Sequence, residues 1–319
     1  MIRVLQFGMS NNKGGIETFI FNNYAHIDHN KIQFDFVKMF EGKMPYEEEI
    51  LSMGGRIFEF FPCGYTQSIS QNRKQWMEFY DKVKPDAIHY NTIALTSLRA
   101  LYFAKKSGVK HIYVHAHPNR YYEGMSLKNR FSCEINRHLV YLYADKCLAC
   151  SEQAGKWMYS KDFQVIPNAI DTERFAFNES KRNKIRRELD IENKIVICNV
   201  GNLSDVKNQT FLLDIALELK KKWDIAILLL GTGSKENLLK EKAKRLGISR
   251  EIFFLGNVEN VEEYLSASDL FVFPSKSEGF GIVLLEAQAN GLQCFASDKV
   301  IPKATNAAFT FRQQCKFLG

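Results

Sequence analysis

At 319 residues the chain is long for one ordinary domain and accommodates two of about 150, each able to bury its own core. Hydrophobic residues make up 45% and charged residues 25%, which excludes a disordered or fibrous chain. The formal charge of +7 is spread evenly: residues 1–180 hold 22 basic and 19 acidic side chains, the rest 21 and 17, giving +3 and +4 with no basic block. Such a balance argues against nucleic acid and for anionic small molecules or an anionic membrane surface.

The first apolar run, Ile2 to Phe7, ends at Gly8 and is too short for a signal-peptide core, so it reads as a buried strand. Further strand candidates follow at 32–37, 56–60, 86–90, 111–115 and 145–149, separated by helix-period segments. Lys84-Pro85-Asp86 and Ser107-Gly108-Val109 supply the turn chemistry that stops a helix before a strand. After Pro167-Asn168 the pattern restarts, with strands at 195–200, 225–230, 251–255, 269–273 and 292–296. The polar stretch from 168 to 190 holds no apolar strand and marks the junction, which predicts domains 1–170 and 171–319. Alternating strands and helices predict an α/β chain of two Rossmann-like domains facing across a cleft, with ligands beyond the carboxyl ends of the strands.

The longest apolar stretches, such as Ile225 to Leu230, are far short of the roughly 20 residues that a spanning helix needs. Seven cysteines at irregular spacing, with Cys147, Cys198 and Cys294 inside strand-like runs, fit a reducing compartment. Cys147 and Cys150 have CxxC spacing, but on a strand residues three apart face opposite sides, which argues against a metal or redox role. The expected location is therefore the cytoplasm, with the inner face of the plasma membrane as a place of peripheral attachment.

The strongest local signal is the run from Phe273 through Glu278, Gly279, Phe280, Gly281 and Ile282 to Glu286 and Gly291: a strand, a glycine-bearing loop and a helix. Glycines let the backbone approach a ligand, and free amides at a helix start favour phosphate. Taken alone, the loop is equally a plain connection with solvated glutamates. Two glutamates eight positions apart after E-G-F-G, late in the second unit, resemble family 4 (group 1) glycosyltransferases of the GT-B fold, among them enzymes of bacterial capsule and exopolysaccharide synthesis.

Other landmarks follow in the family's order. Gly14-Gly15-Ile16-Glu17 is similar to the acceptor-side glycine loop, and between residues 8 and 18 neither GxGxxG nor a P-loop occurs. Val114-His115-Ala116-His117-Pro118 ends a strand where the family places a histidine facing the donor sugar; alignment favours His115, with His117 close behind, and His89 reads as structural. Ala149-Cys150-Ser151-Glu152 and Pro167-Asn168-Ala169-Ile170-Asp171 resemble the end of the first domain and its linker, with alanine for glycine at 169. Gly201, Asn202 and Lys207 lie in a loop similar to the donor-phosphate loop. Asn202 stands where many relatives have arginine, and losing such a charge-assisted contact costs about 1.5 to 3 kcal/mol unless another cation, with Lys276 the candidate, compensates. Gly231, Gly233 and Asn257 complete the donor-side set.

The resemblance implies retention of anomeric configuration, catalytic roles for His115 or His117, Lys207 and Glu278, and Glu286 holding the ribose. It implies a nucleotide-sugar donor, a UDP-sugar by the nearest analogy, as substrate, a lipid-linked or saccharide acceptor, and no cofactor. The DxD signature of the other major glycosyltransferase fold is absent and no metal site is expected, so the lysine and amides neutralise the leaving diphosphate. Residues Tyr121 to Tyr141 mix aromatic, apolar and basic positions at helical spacing, which suits either docking on anionic lipid or core packing. The family pattern continues beyond the strand at 292–296 with a terminal helix that crosses back. Ala304 to Gly319 shows no counterpart, which reads as an incomplete second domain and leaves a non-catalytic, nucleotide- or partner-binding protein as the alternative.

Overall fold

The computed structural model describes residues 1–61, 69–118, 120–121, 124–278, 280–297, 300 and 315–318. The chain divides into two compact units, Met1–Ala169 and Ile170–Gly319. In the first unit run β1 (Ile2–Phe7), α1 (Gly15–His26), β2 (Ile32–Lys38), α2 (Glu47–Ser52), β3 (Arg56–Glu59), α3 (Ile69–Val83), β4 (Ala87–Thr92), α4 (Arg99–Lys106), β5 (His111–Ala116), α5 (Leu127–Leu139), β6 (Lys146–Ala149), α6 (Glu152–Met158) and β7 (Gln164–Val165). The second holds α7 (Glu179–Glu188), β8 (Ile195–Val200), α8 (Gln209–Leu219), β9 (Ile225–Leu230), α9 (Glu236–Arg245), β10 (Ile252–Gly256), α10 (Val261–Ala267), β11 (Leu270–Phe273), α11 (Ile282–Ala289), β12 (Gln293–Ser297) and β13 (Cys315–Leu318).

One sheet has the order β3-β2-β1-β4-β5-β6-β7 and the other β10-β9-β8-β11-β12-β13. Every pairing between these strands is parallel. Parallel strands need crossover helices, which cover both faces and make the strands apolar throughout. β9 shows this: all six residues of Ile-Ala-Ile-Leu-Leu-Leu are buried. Val196, Cys198, Leu228 and Phe271 pack into one core, while Ile197, Ile227, Leu229 and Val272 pack into another, as side-chain alternation across a two-sided sheet requires.

The strand expectations agree with the structure to within two residues. β7 went unread because two residues carry no period. β13 lies in the stretch 304–319, for which no strand was expected; its backbone pairs in parallel with β12 from Cys294↔Cys315 to Ser297↔Leu318. Four residues docked on a sheet edge give too short a run for a periodicity test.

In each sheet one strand has neighbours reached in opposite directions: β1 lies between β2 and β4, and β8 between β9 and β11. The loops leaving such a pair diverge, which opens a crevice at the carboxyl ends. Asp269, just before β11, accepts hydrogen bonds from the Val196 amide at 2.8 Å and from Arg182 and Arg186 at 2.6 Å each, anchoring α7 to the opposite end of the second sheet.

Candidate active site

Two loops converge where β8 and β11 end. Asn199 on β8 donates from Nδ2 to the carbonyl of Val272 on β11 at 2.8 Å, and its Oδ1 accepts from Gln209 Nε2 at 3.4 Å. Gln209, fully buried, also donates to the Asn202 carbonyl at 3.1 Å and accepts from the Ser204 amide at 3.3 Å. This one amide therefore shapes the loop after β8. The loop after β11 is pinned to it: the Lys276 amide donates to the Val206 carbonyl at 2.8 Å and Asn208 Nδ2 to the Pro274 carbonyl at 3.2 Å.

The consequence is that Lys207 and Glu278, 71 positions apart, meet: Nζ donates to Oε1 at 2.6 Å. The ammonium also lies 4.9 Å from the centroid of the Phe273 ring, whose face attracts a cation. The Lys207 stem lies against Gly201, where an added β-carbon would come within 3.2 Å of it.

The remaining glycines make room for backbone. Gly231 (φ +131°) donates to the Gly256 carbonyl at 2.7 Å, and a β-carbon on it would stand 2.3 Å from the Gly201 carbonyl oxygen. A β-carbon on Gly233 would stand 2.2 Å from Asn202 Oδ1, so the Asn202 side chain fills the notch that Gly233 leaves. Asn257 Oδ1 is 3.5 Å from the Thr232 hydroxyl. Lys276 is exposed, and its backbone sits beside the Lys207 loop.

Gly281 (φ +81°) begins α11 without a side-chain cap, and the first helical amides, starting with Ile282, follow it. Phe280, Ile282 and Glu286 are buried. Gly279 lies outside the described residues, so the expected role of its amide has no geometry to set beside it. Lys207, Glu278, Gly201, Asn202, Gly231 and Gly233 are brought together by direct contacts, and Gly281, Ile282 and Glu286 stand on the same loop and helix as Glu278.

In the first unit the Gly14 amide donates to Glu17 Oε2 at 3.1 Å, and Glu17 Oε1 accepts from the Ser10 hydroxyl at 2.6 Å. The buried Glu17 thus ties the loop to the start of α1 at Gly15. One turn on, Phe19 sets its ring edge-on to His115 (centroids 4.9 Å), His117 (5.1 Å) and His89 (6.3 Å). His89 Nε2 is 3.1 Å from His115 Nδ1, and His117 Nε2 is 2.9 Å from Asn91 Oδ1. Burial, first of all, lowers the His89 pKa to about 4 and that of His117 to about 3, and pushes that of His115 lower still, so the rings are neutral. Sequence reasoning missed Asn91, Phe19 and Gln209; buried polar residues at strand ends were the available signal.

Cys147, Cys150, Cys198 and Cys294 are free and buried. Among the described residues no group of three or more His, Cys, Asp or Glu side chains is placed to hold a metal ion, and no helix is long and apolar enough to cross a membrane. α5 buries Cys133 but leaves Leu127, Phe131, Ile135 and Leu139 exposed at four-residue spacing, followed by Leu142. Of the two readings of this helix, core packing does not apply to that stripe.

Two parallel sheets with loops of this kind define a glycosyltransferase of the GT-B class. The fold is similar to Anabaena Alr3699/HepE solved with UDP-glucose (TM-score 0.77, 20% identity, 94% of this chain and 81% of that one) and to WaaG, a glycosyltransferase involved in lipopolysaccharide biosynthesis (TM-score 0.69, 15% identity, 94% and 82%). Residues 13–174 match the model for Glycosyltransferase Family 4 and residues 181–309 that for glycosyl transferases group 1. The glycosyltransferase-family protein EpsF of Bacillus subtilis (strain 168) is 32% identical over 309 residues, 94% of this chain and 80% of EpsF. The UDP-Gal:alpha-D-GlcNAc-diphosphoundecaprenol alpha-1,3-galactosyltransferase of Escherichia coli is 27% identical over 249 residues, 72% of this chain and 63% of that protein. The chain belongs to glycosyltransferase family 4.

Proposed function

We propose that this chain transfers a sugar from a nucleotide diphosphate, a UDP-sugar, to a lipid-linked or saccharide acceptor in cell-surface polysaccharide synthesis, with retention and without a divalent metal. The observation that carries this reading is the meeting of Lys207 and Glu278 at the ends of β8 and β11, with the Lys207 stem packed on Gly201 and Glu278 in the segment that leads into α11. Transfer demands stabilisation of the charge that grows on the departing diphosphate more than it demands a strong base. A lysine together with the amides at the start of α11 supplies that charge compensation. Glu278 holds sugar hydroxyls and orients Lys207, Glu286 holds the ribose, and Gly201, Asn202, Gly231, Gly233 and Asn257 line the nucleotide. Gly14 and Gly15 belong to the acceptor side, and His115 or His117 faces the sugar. HepE bound to UDP-glucose and the Escherichia coli enzyme with its UDP-galactose donor and undecaprenyl-linked acceptor support the donor and acceptor classes.

The exposed stripe on α5 suits a membrane-bound acceptor. Leu127 and Phe131 are 81% and 69% exposed, and the exposed Lys128, Arg130 and His138 lie alongside. Apolar side chains at the headgroup boundary with basic neighbours favour an anionic surface, each cation contributing about 1 kcal/mol.

The test is to incubate purified protein with a panel of UDP-sugars and an undecaprenyl-diphosphate-linked sugar, with and without EDTA, and to compare Lys207→Ala and Glu286→Ala. We expect EDTA-resistant, acceptor-dependent UDP release that both substitutions reduce at least about a hundredfold. Release unchanged in both variants would refute the assignment of the site.

A further inference from the structure

The polar groups at the ends of β1, β4 and β5 determine one another. Asn91 donates from Nδ2 to the Phe7 carbonyl at 3.1 Å and to Gln6 Oε1 at 3.2 Å. A backbone carbonyl only accepts, so the nitrogen of this amide faces Phe7 and its oxygen faces His117 Nε2, 2.9 Å away. That oxygen only accepts, so Nε2 carries the proton. Because burial keeps the ring neutral, it has a single N–H, and Nδ1 is left as a bare lone pair. The hydrogen bond of the His117 ring to a described residue runs through Nε2, and His117 retains 9% exposure, whereas His115 is fully enclosed, with its own Nε2 buried and without a hydrogen-bond partner among the described residues.

Asn91 itself is held by Gly8. A β-carbon there would stand 2.5 Å from the Asn91 carbonyl oxygen and 2.7 Å from its Cβ, and φ is +108°. The His117 ring lies against His115 (centroids 4.5 Å) and Phe19, and its carbonyl accepts from Cys150 Sγ at 3.2 Å. The titratable groups that face it are thus His89, His115 and the Cys150 thiol. The last is pushed by burial up to about 12, and no charge stands among them at neutral pH.

We infer that Asn91 is a positioning residue that locks His117 in its Nε2–H tautomer, so that His117 rather than His115 presents an acceptor nitrogen to a hydroxyl of the bound sugar. This deepens the reading of the two histidines as sugar-facing and rests on it. The hydroxyl donates to Nδ1, and no proton leaves the ring. His115 acts as the packed backing of His117.

Long-range proton–nitrogen NMR on protein labelled with 15N-histidine reads the tautomer directly, with His117→Gln assigning the resonances. At pH 7.5 we expect a protonated Nε2 and an unprotonated Nδ1 at His117; the opposite tautomer, or a mixture, would overturn the inference without any substrate. In Asn91→Asp the carboxylate still accepts from Nε2 but draws a second proton onto Nδ1. With UDP-glucose as the donor probe, kcat/KM then gains an acid limb above pH 5, falling about tenfold per pH unit, while the parent enzyme stays flat there. A pH-flat loss in Asn91→Asp would make Asn91 merely structural and contradict the proposal. Absence of UDP-glucose cleavage by the parent enzyme counts against the donor class and leaves the NMR result to decide the tautomer.

Discussion

At the ends of β1, β4 and β5 the polar groups are neutral, buried under Phe19 and paired ring to ring or ring to amide; at the ends of β8 and β11 a charged lysine and glutamate meet among glycines. Both lie where a parallel sheet's order reverses, so topology alone does not decide what a crevice holds. Side-chain volume does. Aromatic and imidazole rings exclude water and force groups to be neutral, whereas glycines let the loops and the Lys207 stem pack closely enough to bring two charged side chains together.

The difference is broken most severely by adding one methyl group to the second crevice. Gly231→Ala places a β-carbon against the Gly201 carbonyl at a φ of +131°, so we expect UDP release to fall at least about a hundredfold and stability to drop by about 1 to 3 kcal/mol. Calorimetry and a release assay on one preparation check both. The matching change in the first unit, Gly8→Ala, displaces Asn91 and should cost about tenfold in kcat/KM with UDP binding intact, which isothermal titration separates.

A smaller effect comes from the neutral histidines. Their folded-state pKa values, about 4 for His89 and about 3 for His117, lie below the 6.5 of an unfolded histidine. Below pH 6.5 the unfolded chain therefore binds more protons, and stability falls as pH drops toward 4. The slope is about 1.4 kcal/mol per pH unit for each histidine protonated on unfolding. Urea midpoints at pH 7 and pH 5 measure this, and His89→Gln should flatten the slope. The smallest change is Phe131→Ser on α5, which should leave stability within about 0.5 kcal/mol while weakening sedimentation with anionic vesicles.

The two crevices were unequally legible in the sequence. Lys207 and Glu278 stand in loops whose glycines and spacing mark them out, and α/β alternation located the strands that present them. Nothing local marks Asn91: its partners Gln6, Phe7 and His117 are 26 to 85 positions away and meet it only through the parallel register of β1, β4 and β5. Gln209 escaped notice for the same reason, being a helix-start residue whose value lies in a strand-end partner. β13 was invisible because four residues carry too little pattern to distinguish edge strand from loop. The helix at 127–139 was read from its period, but whether its apolar stripe is covered is a property of the neighbours it meets.

Replacing Lys207 by alanine and by arginine, and following UDP release from a turned-over UDP-sugar, bears most directly on the charged crevice. We predict that alanine lowers kcat about a hundredfold or more while arginine restores part of it, because what the site supplies is a positive charge opposite a leaving diphosphate. Equal kcat in all three proteins would contradict the account.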